Sequence, residues 1–344
     1  MGGLSNRIDN NENIDKKNTN FLFFKDIIND SYAFSALDNT ISVFKSIDDI
    51  LLLIYSNKNK SIIIYNLINL QKINEIKNAH DEYIINFRHY SYIFKKIDLI
   101  LSISSTDNNI KVWNIQNLNC LLNIKNINKI GNLYSACFLN DNNQIYIISC
   151  NSNFNQNNFE LIKVYDYRGN IIKEIKNSDD DTYFIDDYYD NKLSTNYILT
   201  GNLGYVKAYD YKNNKLYYKY SDNDNKIHSS IVINGVDKNI DLIESSDDGN
   251  IRIWDFHLGI LLNKIKISFG QLYGICLWDK NFLFVGGNET IRVINIRYKK
   301  TIKILKGHKN WVLTLKKIHL PFFGECIISQ GFDEKIKLWI NKSC

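Results

Sequence analysis

A short motif recurs along this chain. A turn of Asp, Asn or Gly leads into a strand of alternating apolar and polar residues, and the strand ends on an aromatic followed by Asp or Asn. Three copies are clean. The first is Asp107-Asn108-Asn109-Ile110-Lys111-Val112-Trp113-Asn114, and the second is Asp248-Gly249-Asn250-Ile251-Arg252-Ile253-Trp254-Asp255. The third, Asp333-Glu334-Lys335-Ile336-Lys337-Leu338-Trp339-Ile340, carries Ile where the acid or amide would stand. Weaker copies end at Tyr65-Asn66, Tyr165-Asp166, Tyr209-Asp210 and Ile294-Asn295. The anchors at 65, 113, 165, 209, 254, 294 and 339 are spaced by 48, 52, 44, 45, 40 and 45 residues. A regular period built on period-2 alternation describes a unit of short strands. Such a unit cannot bury its apolar face alone and has to stack on its neighbours.

Each period holds further strands. The second shows 83–89, 99–104, 110–113 and 120–124; the sixth shows 272–278, 282–285, 291–294 and 302–305. The two long spacings are assigned to an extra loop around 90–96 and an Asn-rich insertion at 151–158. No amphipathic helix is evident, and Pro321 is the single proline. At 344 residues the chain exceeds the size at which one layered core stops growing. Stacked units escape that limit, because each brings its own buried face.

The pattern resembles the WD-repeat family. That family carries Gly-His before the inner strand of a blade and Trp-Asp at the end of its third strand. Here Gly307-His308 leads to Trp339, Ala79-His80 to Trp113, and Ile227-His228 to Trp254. The resemblance covers 20–344 and implies an all-β, seven-bladed β-propeller of four-stranded antiparallel blades. The implied blades are 40–78, 79–127, 128–178, 179–222, 223–266, 267–306 and 307–344, after a disordered N-terminal arm at 1–19. It also implies a buried chain of His, Ser or Thr, Asp and Trp, since a buried imidazole and indole N–H both need partners. The expected members are His80, Ser104 or Ser105, Asp107 and Trp113; His228, Ser246, Asp248 and Trp254; and His308, Ser329, Asp333 and Trp339. The first, third, fourth and sixth blades lack that pattern and are expected to hold by packing. The last period stops after its third strand, so a strand within 21–37 is expected to pair beside 336–340 and close the ring.

Composition excludes several functions. Net charge is +5, and six of the 42 basic residues are Arg, a balance that points away from a nucleic-acid binder. The longest apolar run, 50–55, is far short of the roughly 18 residues of a membrane span. The polar first twenty residues are not a secretory signal. The start Met1-Gly2-Gly3-Leu4-Ser5-Asn6 loosely resembles a myristoylation site, with Asn at the sixth position. Cys120, Cys137, Cys150, Cys276, Cys326 and Cys344 form no CxxC pair and read as reduced thiols of a cytosolic protein. His89, His257 and His319 stand alone, without zinc-site spacing. The Asp179, Asp180, Asp181, Asp186, Asp187 and Asp190 cluster lacks EF-hand order and reads as a solvated loop, or as an acidic patch for a basic partner. Neither a catalytic set, nor a metal site, nor a cofactor is expected, and no small-molecule substrate.

By alignment of the inner strands, the family resemblance implies a partner-binding rim of Thr40, Tyr83, Asn132, Tyr183, Ser230, Gln271 and Trp311. Large aromatics there supply binding energy at low entropic cost. Lys306 and Lys309 flank Trp311, nearly across the ring from the Asp cluster. The expected function is a non-catalytic scaffold for partner proteins, a monomeric propeller within a complex, cytoplasmic with the nucleus as the alternative. Two further readings are a cullin-ligase substrate receptor and an RNA-associated ribonucleoprotein factor. The first is suggested by Tyr165-Asp166-Tyr167-Arg168 and Tyr209-Asp210-Tyr211-Lys212, the second by the excess of Lys.

Overall fold

The computed structural model describes residues 21–33, 39–104, 106–125, 133–151, 161–177, 181–235, 239–268 and 270–341. The expected N-terminal arm, the 151–158 insertion apart from Asn151, Ser105, Asn132, Asp179, Asp180 and Cys344 lie outside these residues.

Among the described residues all regular structure is β, apart from a 3-10 turn at Ile93–Lys95. The first strand, β1 (Phe21–Ile28), belongs to the last unit. Unit 1 is β2 (Ser42–Lys45), β3 (Leu51–Ser56), β4 (Ile62–Asn66) and β5 (Gln71–Ile76). Unit 2 is β6 (Ile84–Tyr92), β7 (Ile97–Ser104), β8 (Asn109–Asn114) and β9 (Cys120–Lys125); unit 3 is β10 (Leu133–Asp141), β11 (Gln144–Asn151), β12 (Leu161–Tyr165) and β13 (Ile171–Lys176). Units 4 and 5 form one seven-stranded sheet. It contains β14 (Phe184–Asp190), β15 (Thr195–Gly201), β16 (Leu203–Asp210), β17 (Lys215–Asn234), β18 (Ile240–Ser246), β19 (Asn250–Asp255) and β20 (Leu261–Lys266). Unit 6 is β21 (Ile275–Leu277), β22 (Phe282–Gly286), β23 (Thr290–Asn295) and β24 (Lys300–Lys306). Unit 7 is β25 (Val312–Leu320), β26 (Gly324–Gly331) and β27 (Ile336–Asn341), completed by β1. Each anchor read from the sequence falls at or near the end of a third strand.

Two expectations need correction. The loop expected around 90–96 is shorter, because β6 runs on to Tyr92, pairs there with Ile97, and then turns through the 3-10 residues. The boundary expected at 222/223 falls inside β17, which serves unit 4 at its start and unit 5 at its end. Across the polar stretch Ser221-Asp222-Asn223-Asp224 the strand continues, and Leu203 pairs with Lys226.

Burial follows position in the unit. In β3, Leu51-Leu52-Leu53-Ile54-Tyr55-Ser56 is buried at every residue, because both faces of the sheet are covered. The outermost strands β5, β9 and β13 expose most of their residues. Apolar clusters join each unit to the next. A further cluster joins unit 7 to unit 1, with Ile328 and Leu338 in the same core as Leu53 and Ile63. The first strands also touch in order: β2 and β6, β6 and β10, β10 and β14, β14 and β17, β17 and β21, β21 and β25, and β25 and β2.

β1 pairs antiparallel with β27, setting Phe23 opposite Trp339 and Ile28 opposite Ile336. Asp26 on β1 receives Lys335 Nζ at 2.6 Å, and Lys337 Nζ as well. Burial alone would raise the Asp26 carboxyl, but the two ammonium groups outweigh it and hold it below the ordinary value.

The antiparallel meander gives the molecule two ends. Second-to-third turns and the links between units lie at one, here the link end. First-to-second and third-to-fourth turns lie at the other.

Candidate functional site

The expected polar sets fall at the link end. In unit 7 the expected set is assembled. Trp339 Nε1–H donates to Ser329 Oγ at 2.7 Å, and His308 Nε2 lies 2.7 Å from the same hydroxyl. His308 Nδ1 lies 2.8 Å from Asp333 Oδ1, while the Lys309 N–H donates to Asp333 Oδ2 at 2.9 Å. With the hydroxyl accepting from Trp339, it donates to Nε2, which leaves the proton on Nδ1 facing the carboxylate. Burial lowers the His308 ring, so it stays neutral. Burial opposes the Asp333 charge too, but the His308 and Lys309 hydrogen bonds prevail and hold it low. Gly331 permits the close packing: a Cβ there would lie 2.4 Å from His308 Nδ1.

Unit 2 repeats this geometry with one correction. The hydroxyl is Ser102, not Ser104 or Ser105. Trp113 Nε1–H and His80 Nε2 each lie 2.8 Å from Ser102 Oγ, and His80 Nδ1 is 3.3 Å from Asp107. The reason is register. Ser102 sits opposite Lys111, two residues before Trp113, as Ser329 sits opposite Lys337, two before Trp339.

Unit 5 departs from expectation at Ser246 and Asp248. The residue in the Ser102 register is Glu244, opposite Arg252. Glu244 is 1% exposed and lies beside the Trp254 indole. Burial pushes its carboxyl up to about 8, against the pull of Arg252 3.7 Å away. The fully buried Arg252 is held by Asp222 at 2.8 Å and by Asp248. Asp248 is thereby taken from the histidine, and His228 pairs with Asp247 at 2.6 Å instead. Ser246 is buried, and its Oγ lies 3.5 Å from the Asp248 N–H. Gly249 makes this turn at φ +75°, where a Cβ would meet the Ser268 carbonyl at 2.3 Å.

Unit 4 does not hold by packing alone, because Asn177 replaces the histidine. Tyr209 Oη donates to the Asn177 Oδ1 at 2.8 Å, Thr200 Oγ1 to the same atom at 3.2 Å, and Asn177 Nδ2 to Thr182 Oγ1 at 2.7 Å. The signal is in the register: Thr200 stands opposite Lys207, two before Tyr209. In unit 3 the Tyr165 hydroxyl bonds Ser149. Units 1 and 6 carry Tyr55 and Val285 at that register.

These sets resemble Ser–His–Asp chemistry only in residue type. Ser102 and Ser329 are fully buried and already bonded on both sides, so no dissolved substrate reaches them. The three histidines read as solitary each meet an acid: His89 with Asp98 at 2.8 Å, His257 with Asp190 at 3.0 Å, and His319 with Glu325 at 3.2 Å. His89 also stacks on Phe44, and Asp98 accepts the Ile47 N–H, pinning unit 1 to unit 2.

The Asp cluster is not simply a solvated loop. Asp190 is buried against His257. Asp186 and Asp187 lie with Cys137 in a group whose ligand atoms are within 4.8 Å. Arg88 reaches Asp186 at 3.4 Å. Asp187 is exposed, yet desolvation and then the Asp186 charge raise its carboxyl, while burial drives the Cys137 thiol well above its ordinary value. A protonated thiol beside a guanidinium is a poor cation site. Cys120 is exposed; Cys137, Cys150 and Cys326 are buried free thiols, and Cys276 is half-buried.

The rim residues do not form one exposed ring. Thr40 and Ser230 are buried, and Thr40 bonds Thr314 at 2.9 Å. Ser230 lies within β17 and is turned inward by its alternation, while Thr40 precedes β2 and is held in by Thr314. Tyr83 packs on Tyr32 at 4.3 Å, Tyr183 lies 6.1 Å from Tyr134, and Gln271 accepts from Tyr273 Oη at 2.6 Å. Trp311 is wedged between Tyr273 and Phe332. The two aromatic-acid boxes are turn chemistry: Asp166 caps the Arg168 and Asn170 N–H groups, Asp210 caps Asn213, and Tyr165, Tyr209 and Tyr211 are buried.

No helix among the described residues is long and apolar enough to cross a membrane. Residues 299–339 match the WD domain, G-beta repeat. Over 315 residues the chain is 24% identical to the nuclear distribution protein PAC1 of Komagataella phaffii, covering 83% of this chain and 56% of that protein. It is 23% identical over 99 residues to the U3 small nucleolar RNA-associated protein 21 homolog of Schizosaccharomyces pombe, 28% of this chain and 11% of that one. The chain thus spans about half, or less, of the relatives it matches.

Proposed function

We propose that this WD-repeat chain is a ring of seven blades over 20–344, closed by β1, and that it serves as a non-catalytic platform for partner proteins in the cytoplasm or nucleus. The order of first-strand contacts and the shared core of units 7 and 1 support the ring. The observation that carries the platform reading is the sealing of the His–Ser–Asp–Trp sets. Among the described residues, the His–Ser–Asp–Trp sets of units 2 and 7 are buried and bonded within themselves, which favours surface binding over chemistry at these sets. At the link end the proposed contact residues reduce to Tyr83, Tyr183, Gln271 and Trp311.

Affinity purification with mass spectrometry tests this, comparing the wild type with Trp311→Ala plus Tyr83→Ala. A reproducible protein set that the variant loses supports the platform and that rim. An unchanged set moves the binding face elsewhere. A wild type that retains no protein contradicts the platform.

A further inference from the structure

The two ends of the molecule differ in what they expose. Among the described residues, most large apolar side chains left exposed in turns are at the end opposite the links. Phe322 is 82% exposed, Phe94 76%, Ile93 75% and Tyr167 70%, with Leu193 and Leu258 also out. Each lies in a first-to-second or third-to-fourth turn. Among the described residues the link end offers Phe332 at 36% and Leu203 at 45%. Apolar residues scattered singly need no explanation, but a concentration at one end does.

Charge is sorted in the same turns. Asp166, Asp190, Asp255 and Asp279 accept backbone N–H groups of their own turns; Asp190 and Asp255 are buried, while Asp166 and Asp279 are half-exposed. The cations beside them project outward: Lys95, Lys96, Arg168, Lys192, Arg297 and Lys299 are all exposed. Among the described residues, the fully exposed carboxylates of these turns are Asp48 and Asp49, both in unit 1, and Lys45 pairs with Asp49. The link end is mixed, with Asp81, Asp222, Asp224 and Glu289 exposed beside its lysines.

A groove opens on this cationic, apolar end between units 2 and 3. Its volume is about 660 Å³, within the range of roughly 300–1,000 Å³ seen for ligand sites. Tyr92, Lys95, Leu122, Phe138, Asp166 and Tyr167 are among the residues that line it. The apolar surface continues past the mouth onto Ile93 and Phe94, so an occupant has to extend beyond the cavity, as a chain does. A flat bilayer would leave the recess empty.

We infer that the groove between units 2 and 3, lined by Lys95 and Asp166 and with Lys96 and Arg168 exposed next to its lining residues in the chain, is a docking site for an acidic amphipathic segment of a partner protein. The inference rests on the platform reading and places this contact on the face opposite Trp311. Apolar side chains of the segment fill the groove, and its carboxylates meet Lys95, Lys96 and Arg168.

The test is selection of a phage-displayed library of random 16-residue peptides on the purified chain. Selected peptides are then measured by fluorescence anisotropy against Phe94→Ser plus Tyr167→Ser, Lys95→Glu plus Lys96→Glu, and Trp311→Ala plus Tyr83→Ala. The first two pairs are exposed, so unchanged melting temperatures establish that they fold. The expected result is peptides rich in acidic and large apolar residues that lose about tenfold or more in affinity on the first two variants and keep it on the third. Neutral or basic peptides, or equal binding to the first two variants, overturn the site. Peptides lost only on the third overturn it while leaving the platform reading intact; no binder of any kind contradicts both. Vesicles containing phosphatidylserine, and poly(U) RNA, are run in parallel. Tight binding of either that the first two variants abolish reassigns the face and overturns the inference.

Discussion

Glu244→Gln should make the protein more stable in mild base. The wild-type carboxyl is buried beside Trp254 and is raised from 4.5 to about 8. Between those values the folded chain keeps a proton on Glu244 that the unfolded chain releases. Stability is therefore fully present below about 4.5 and is lost as pH rises towards 8. A tenfold difference in proton affinity between the folded and unfolded chain is worth about 1.4 kcal/mol, so the loss has an upper bound on the order of 5 kcal/mol. Arg252, 3.7 Å away, and Asp248 and Asp222 behind it couple to the site, so at least about 2 kcal/mol is the expected difference. Glutamine keeps the shape and an acceptor for the indole without the charge. Urea titrations followed by tryptophan fluorescence at pH 5.0 and pH 8.5 read the effect. The two proteins should match closely at pH 5.0, and the variant should be the more stable at pH 8.5. If the variant is instead weaker at pH 8.5, Glu244 is ionised and paired with Arg252, and the argument fails.

Ser102→Ala and Ser329→Ala each strand a buried indole N–H and an imidazole nitrogen, so each should cost about 2 kcal/mol in urea unfolding. Asp186→Asn should lower the Asp187 titration, because it removes a neighbouring negative charge, and carboxyl NMR reads the shift. Removing residues 21–28 uncovers the edge of β27 and strips Asp26 from Lys335 and Lys337. The melting temperature should fall and the protein should aggregate sooner; a truncated chain that melts like the wild type would count against seven-blade closure. Brief alkylation of the native protein should label Cys120 and spare Cys137, Cys150 and Cys326 by peptide mass spectrometry.

The repeat is legible because each third strand ends on a large residue beside a turn, and these are local signals. Ser102 is not, because the neighbouring Ser104 and Ser105 lie nearer the turn, and pairing register rather than proximity selects the hydroxyl. Glu244 is hidden by Ser245 and Ser246 in the same way; ten residues back from Trp254, as Ser329 is from Trp339, points to it. The network of unit 4 is masked because asparagine and threonine replace histidine and aspartate in bonding but not in name. The exposed apolar turns cannot be told from core by residue type, since the same Phe, Ile and Leu fill both. Only the placement of the turns shows which ones no neighbour covers.

The pairing of β1 with β27 also orders events in time. Asp26 and Lys335 are 309 residues apart. A chain made at roughly 5–20 residues per second therefore carries β1 without its partner for about 15–60 s. During that interval β1 is an open apolar edge on a growing chain, next to a unit 1 core that lacks its unit 7 half. Wrong pairing of β1 stays open until β27 has been made. Slower synthesis would lengthen that exposure without altering the final fold.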